Sequence, residues 1–226
     1  MKLHAHPAST TCRPILHFAA ESGIAIELAF VDLFAGDHRS PAYAAINPDR
    51  AVPVLEDGSF RLTQCSAILK YLAERAGSPA YPAEPQARAR VNALMDWFNT
   101  DFHRAFGYGL VYPQVLPHHA WPDAQMQDVA LARAEAEARR RLDVLDRHLL
   151  DDESPFLGGA APSLADYLGA AYVTTGELIG FDLARWPRVQ RWLAAMTARP
   201  AWASTNGAFE GWCEIHRQAR RYRIAA

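Results

Sequence analysis

Ser9-Thr10-Thr11-Cys12-Arg13 places three hydroxyls and a thiol directly ahead of a helix start. Pro14 suits a first helical turn, Gly23 suits a stop, and Ile15, Phe18 and Ala19 fall at helical spacing. From the residues alone, Ser9 is a cap for that helix and Cys12 is a packed thiol. Val52-Pro53 stands where a strand should begin, and a Pro there requires an edge or a turn. A cis bond would turn the Val52 N–H and C=O toward a ligand, but only about 5% of X-Pro bonds are cis, so the residues alone favour trans. Ser163-Leu164-Ala165-Asp166 reads as a capping box with Asp in place of Glu, worth ~1 kcal/mol. Phe102, Phe106, Tyr108 and Tyr112 form an aromatic stripe, which serves as core or lines an apolar pocket. Cys12, Cys65 and Cys213 are sparse and lack a CxxC, which argues against a disulfide framework, a zinc site or a dithiol centre. His4 and His6 share a strand face and His118-His119 a loop, without a carboxylate or Cys at ligand spacing, so no metal is expected. Arg217, Arg220, Arg221 and Arg223 form a basic tail, read as a solvated helix end.

These residues must be positioned by a chain of 226 residues, half of them apolar and 21% charged, a globular composition. Lys plus Arg is 23 and Asp plus Glu is 25, a net charge of −2. That balance carries no footprint for nucleic acid or an anionic membrane. No apolar run approaches the roughly 20 residues of a membrane span, and the first residues lack a signal-peptide core, so a cytoplasmic protein is expected. Residues 2–6 read as a strand and 13–23 as a helix. Ile26, Leu28 and Phe30 alternate as in a second strand. Residues 52–56 and 59–62 flank Asp57-Gly58, a hairpin signal, and Ala67, Ile68, Tyr71 and Leu72 repeat at helical spacing. The order is strand, helix, strand, short helix, hairpin, helix: an α/β unit with a mixed sheet. Gly77, Pro79, Pro82 and Pro85 punctuate a linker. Beyond it the pattern is helical. Val91, Leu94, Met95, Phe98 and Phe102 share one face, and residues 126–149 carry Glu135–Arg139 and Glu137–Arg141 pairs on an expected exposed face. Residues 163–179 and 187–198 give two more helices. The boundaries expected are 1–77, a linker over 78–85, and an all-helical domain over 86–226.

This order resembles the cytosolic glutathione transferases, most closely the theta-like and bacterial (beta, zeta) types, over essentially the whole chain. The matching stretches are Val31-Asp32-Leu33 with Gly36-Asp37-His38, Ile46-Asn47-Pro48, residues 52–58, residues 62–72 and the Ser163 to Asp166 box. The resemblance implies a thioredoxin-like first domain with a mixed four-stranded sheet, a helical second domain, and glutathione as co-substrate without a metal. It also implies a detoxifying transferase that activates the glutathione thiol for attack on a small electrophilic, mostly apolar substrate. Ser9 matches the serine that donates to the sulfur, with Thr10 as a competitor because beta-like members keep a cysteine there. His38 matches a glycine-carboxylate contact. Val52, with Pro53 made cis, would pair with the cysteinyl peptide. Gln64 and Cys65 occupy the pair that holds the γ-glutamyl end, Cys65 departing from the usual serine because a thiol donates poorly. Ala51 departs from a lysine, for which Arg50 is a neighbouring substitute. Asp96 matches an acid that reaches across a dimer, so a homodimer is implied, the small domain of one subunit against the helical domain of the other. His103 and Arg104 match a stretch near the second substrate, whose pocket is expected from Phe102, His103, Phe106 and Tyr112. Two alternatives stay open: a catalytically weak interaction or regulatory relative, and a glutathione-dependent disulfide reductase, against which Ser9 stands in the slot of the first thioredoxin Cys.

Overall fold

The computed structural model describes residues 1–219, and Arg220, Arg221 and Arg223 of the basic tail lie outside them. The first part is built from β1 (Lys2–Ala5), α1 (Arg13–Glu21), β2 (Glu27–Phe30), α2 (Pro41–Ala44), β3 (Val54–Asp57), β4 (Phe60–Thr63) and α3 (Cys65–Arg75). The four strands form a sheet in the order β2-β1-β3-β4. β1 runs parallel to β2 and antiparallel to β3, with Leu3 opposite both Leu28 and Leu55. This is the thioredoxin-like arrangement, and Leu3, Ala5 and Leu55 of the sheet pack with Ile15, Phe18, Ile68 and Leu72 of the helices.

Two local expectations shift. The alternation of Ile26, Leu28 and Phe30 predicts a covered face, yet Leu28 is 42% and Phe30 58% exposed. β2 is an edge strand, so periodicity reveals which residues share a face but not whether anything covers it. The hairpin turn is one residue later than expected. Asp57 pairs with Phe60, which leaves Gly58-Ser59 as the loop, with Gly58 at a φ of 62° that a side chain would strain.

The second part comprises α4 (Pro85–Asp96), α5 (Tyr112–Val115), α6 (Ala124–Val144), α7 (Leu164–Val173), α8 (Pro187–Thr197) and α9 (Trp202–Ala219). Between α4 and α5 the chain stays helical, mostly with wider π-type turns over Trp97–Phe102 and Arg104–Val111. Among the described residues past 85, the only β-type pairing is an isolated bridge from Phe156 to Gly159. The expected stripe is buried, with Val91, Met95, Phe98 and Phe102 in the interior. The Glu135–Arg139 pair forms at 2.8 Å, but Glu135 is buried, so this is no solvated face. Glu137 meets Arg141 at 2.9 Å, and Arg141 also reaches Asp101 at 3.0 Å, fastening α6 to the π-helical segment. α9 appears in the sequence only as the helix end read at Arg217, its start at Trp202 carrying no expected boundary. Asp166 caps α7 as expected, accepting from the Ser163 N–H at 2.7 Å, and also takes the Leu157 N–H and the Trp192 indole N–H, both at 2.8 Å.

α1 is fastened to the helical part at both ends. Arg13, 1% exposed, donates to Thr174 Oγ1 at 3.1 Å, Asn206 Oδ1 at 3.0 Å and the Ala171 carbonyl at 2.6 Å. Its guanidinium lies 3.6 Å above the Phe209 ring. Burial lowers its pKa to about 10, which leaves it charged at neutral pH. At the other end of α1, Glu21 pairs with Arg199 and accepts the Ala201 N–H at 2.8 Å. Both ends of the helix are thereby held by the helical part. Among the described residues no helix is long and apolar enough to cross a membrane.

Candidate functional site

The turn from β1 into α1 presents the hydroxyl run. The Ser9 carbonyl accepts from the Cys12 and Arg13 N–H groups, each at 3.0 Å. The Ser9 side chain is not the cap that the residues alone suggest, because its Oγ pairs with Thr11 Oγ1 at 3.2 Å. Thr11 in turn donates to the Val52 carbonyl at 3.1 Å. Cys12 is fully buried, and that burial raises its thiol to about 11 against the opposing hydrogen bonds of Ser9 and Thr11. It is a packed, neutral thiol at the N-cap of α1, as the residues alone suggest.

Opposite this turn, the Val52-Pro53 bond is cis. The preceding loop is pinned through the Ala51 carbonyl, which accepts from the Tyr43 hydroxyl at 3.0 Å and from Asn47 Nδ2 at 2.8 Å. Beyond the hairpin, Gln64 stands at the N-cap of α3 with φ 70° and ψ 118°. A side chain in that region is strained by about 1–3 kcal/mol, a strain that recurs at ligand clamps. Cys65 follows as the first residue of α3, buried, its thiol held well above the ordinary range by desolvation. The open N-terminal amides of an 11-residue helix add partial positive charge there.

These pieces converge on two adjoining grooves of about 420 and 520 Å³ that share Thr11, Ala51, Val52, His103 and Tyr108. The smaller contains Pro53, Gln64, Cys65, Ser66, Asn99 and Tyr172. Asn99 ties it to the helical part, donating to Ser66 Oγ at 3.2 Å and accepting from the Tyr172 hydroxyl at 2.8 Å. The larger contains Ser9, Thr10, His38, Arg50, Tyr112 and Trp212. His38 has a buried Nδ1 with no hydrogen-bond partner among the described residues. Burial, then Arg39 and His118, lower its pKa, so the ring is neutral at neutral pH. The formal charges on this wall belong to Arg39 and Arg50, both exposed. Deeper in the groove, the Tyr112 hydroxyl donates to Thr10 Oγ1 at 2.9 Å and lies 2.8 Å from His103 Nε2. Burial takes His103 down to about 4.

The structure thus brings Ser9, Thr10, Arg50, Val52, Pro53, Gln64, Cys65, His38, His103 and Tyr112 to one continuous depression. It does not bring Phe102 or Phe106, which are fully buried and stack on each other at 5.1 Å in the interior. Their place on the wall is taken by Tyr108, Trp212 and Phe34, the last 63% exposed. Arg104 lines a separate depression against α6. Asp96 is exposed at the end of α4 and lines neither groove. Thr11, Ser66, Asn99 and Trp212 were missed. Thr11 was visible as the third hydroxyl of its run, whereas Asn99 and Trp212 carry no local signal. Among the described residues no group of three or more His, Cys, Asp and Glu side chains is placed to hold a metal ion.

A small mixed sheet carrying a cis-Pro loop, backed by helices through a buried arginine, defines a thioredoxin-like fold joined to a helical domain. Residues 1–74 match the family described as the glutathione S-transferase N-terminal domain. Human glutathione S-transferase theta-1 is 36% identical over 168 residues, 74% of this chain and 69% of that protein. Human theta-2B is 33% identical over 193 residues, covering 84% and 78%. The crystal structure of human glutathione transferase theta-2, in complex with glutathione and an unknown ligand, superposes with a TM-score of 0.84 at 28% identity, covering 96% of this chain and 90% of that one. The chain belongs to the cytosolic glutathione S-transferase superfamily and is an enzyme of its theta-like branch.

Proposed function

We propose that this enzyme binds glutathione across the shared wall of the two grooves and conjugates it, as thiolate, to a small and mostly apolar electrophile. The observation that carries this reading is the meeting at Val52 of the hydroxyl run, the cis-Pro segment and the strained N-cap of α3. In this reading the cysteinyl peptide pairs with the Val52 backbone. The γ-glutamyl end rests on Gln64, the Cys65 amide and the α3 N-terminus, where partial positive charge favours a carboxylate. The glycine carboxylate faces His38 and Arg50. The sulfur then lies near Ser9 and Thr10, whose hydroxyls interact more strongly with thiolate than with thiol, so they raise reactivity rather than ground-state binding. Tyr108, Trp212 and Phe34 offer apolar surface to the electrophile. Asp96 enters only through a second subunit, and we take the working form to be a symmetric homodimer in the cytoplasm.

Calorimetry with millimolar glutathione, run beside light scattering, tests this. The expected result is measurable heat with a thermal upshift, and a mass of two chains. No heat and no shift would remove the reading of the groove, and a one-chain mass would remove the role of Asp96.

A further inference from the structure

Thr10 and Tyr112, 102 residues apart, meet through a hydrogen bond in which the phenol is the donor. A phenol has one proton, and here it is given to Thr10 Oγ1. The 2.8 Å contact between Tyr112 and His103 must therefore be donated by His103 Nε2–H, which assigns the tautomer of a buried imidazole. Thr10, which accepts from Tyr112, keeps its own proton free to give. The chain of donors runs one way: imidazole N–H to phenol, phenol to threonine, threonine outward.

The seat of the imidazole is built rather than incidental. It stacks on Tyr172 at 4.1 Å and 23°. It also occupies space open only because residue 107 is glycine, since a Cβ there would stand 2.3 Å from His103 Cδ2. Tyr108 and His119 face Tyr112 at 5.1 and 5.6 Å, and Arg13 is the positive charge that acts on it. Among these groups no carboxylate opposes an anion formed beside Thr10.

We propose that Tyr112, held by His103 over Gly107, is a positioning residue that turns the Thr10 hydroxyl toward the glutathione sulfur as a second donor beside Ser9. This rests on the reading of the groove as the glutathione site. Successive donors polarise one another, each bond strengthening the next by about 10–30%. Removing the phenol oxygen weakens the Thr10 donor and releases its orientation.

The test is thiolate absorbance of the glutathione complex titrated against pH, with steady-state kinetics, in Tyr112→Phe, Thr10→Val and the double variant. Tyr112→Phe is expected to raise the bound thiol pKa by about half a unit or more, roughly a threefold loss of thiolate below the pKa. kcat should fall and recover at higher pH, with KM for glutathione little changed. The double variant should match Thr10→Val alone. His103→Gln, whose amide can donate to the phenol, should keep most of the wild-type pKa. His103→Leu should reproduce Tyr112→Phe, and this pair decides the matter should Tyr112→Phe not fold. An unmoved pKa in Tyr112→Phe, or a shift that persists in full on Thr10→Val, would overturn the proposal. A wild-type complex that bound glutathione with a lowered thiol pKa while Tyr112→Phe changed nothing would remove the relay alone. A wild type that bound none would remove the glutathione site and the relay with it.

Discussion

Ser9→Ala is the most direct probe of how this enzyme activates a thiol. A hydroxyl donating to a thiolate makes a charge-assisted bond, worth about 1.5–3 kcal/mol. The Ser9 proton is already engaged. Thr11 gives its own proton to the Val52 carbonyl, so across the 3.2 Å between the two Oγ atoms Ser9 is the donor. That separation is long for O–H···O, so the bond surrendered on turning to sulfur is worth the low end, about 0.5 kcal/mol. The net preference for thiolate is about 1–2.5 kcal/mol, or roughly one to two pKa units. Ser9→Ala should therefore raise the bound thiol pKa by at least about one unit. Below both values the reactive thiolate then falls about tenfold, and above the raised value the two enzymes converge. Thr11→Val should act in the opposite sense. It removes the competing acceptor and lowers the pKa by about 0.4 units. Thiolate absorbance against pH, with kcat/KM profiles, reads both changes. A pKa unmoved by Ser9→Ala, or moved the same way by both variants, would refute the assignment of Ser9 as a donor.

Two other outcomes follow from buried groups. Cys65→Ser exchanges a poor donor for a good one at the start of α3 and should tighten glutathione by about 0.5–1.5 kcal/mol, roughly two- to tenfold in Kd by calorimetry; an unchanged Kd would assign that contact to the backbone amide. His17 and His103 are both held down to about 4 by burial, so the folded chain binds fewer protons than the unfolded one between that value and 6.5. Stability should be full above about pH 6.5 and drain as pH falls toward 4, by up to about 3 kcal/mol for each residue, and a denaturation midpoint flat across that window would contradict it.

Much of the scaffold was legible because its signals are local. The Gly23 stop, the 91-95-98-102 stripe and the Ser163–Asp166 box depend on contacts within a turn or two, and sequence spacing reports those contacts directly. The hairpin was legible to within one residue, since Asp57-Gly58 identifies the turn while cross-strand pairing chooses its register. The candidate site was legible less directly: the residues alone make Ser9 a cap and Val52-Pro53 a trans bond, and only the family resemblance draws Ser9, Val52-Pro53 and Gln64-Cys65 into one site.

What the chain alone left open were choices between faces and between distant partners. Phe102 and Tyr108 lie in the same aromatic stripe, but π-type turns bury the first and set the second on the groove wall. Leu28 and Phe30 alternate as a covered strand does, yet they stand at an open sheet edge. Nothing local marks Arg13 as buried, yet it is the fastener between α1, α7, α9 and the segment after α7. Thr10 meets Tyr112 because α1 is held against the helical part, through Arg13 at one end and Glu21 at the other. Local dihedral preferences and periodicity determine which elements form and which residues share a face. Which face is covered, and which hydroxyl finds which partner, was decided only when the two halves of the chain packed together.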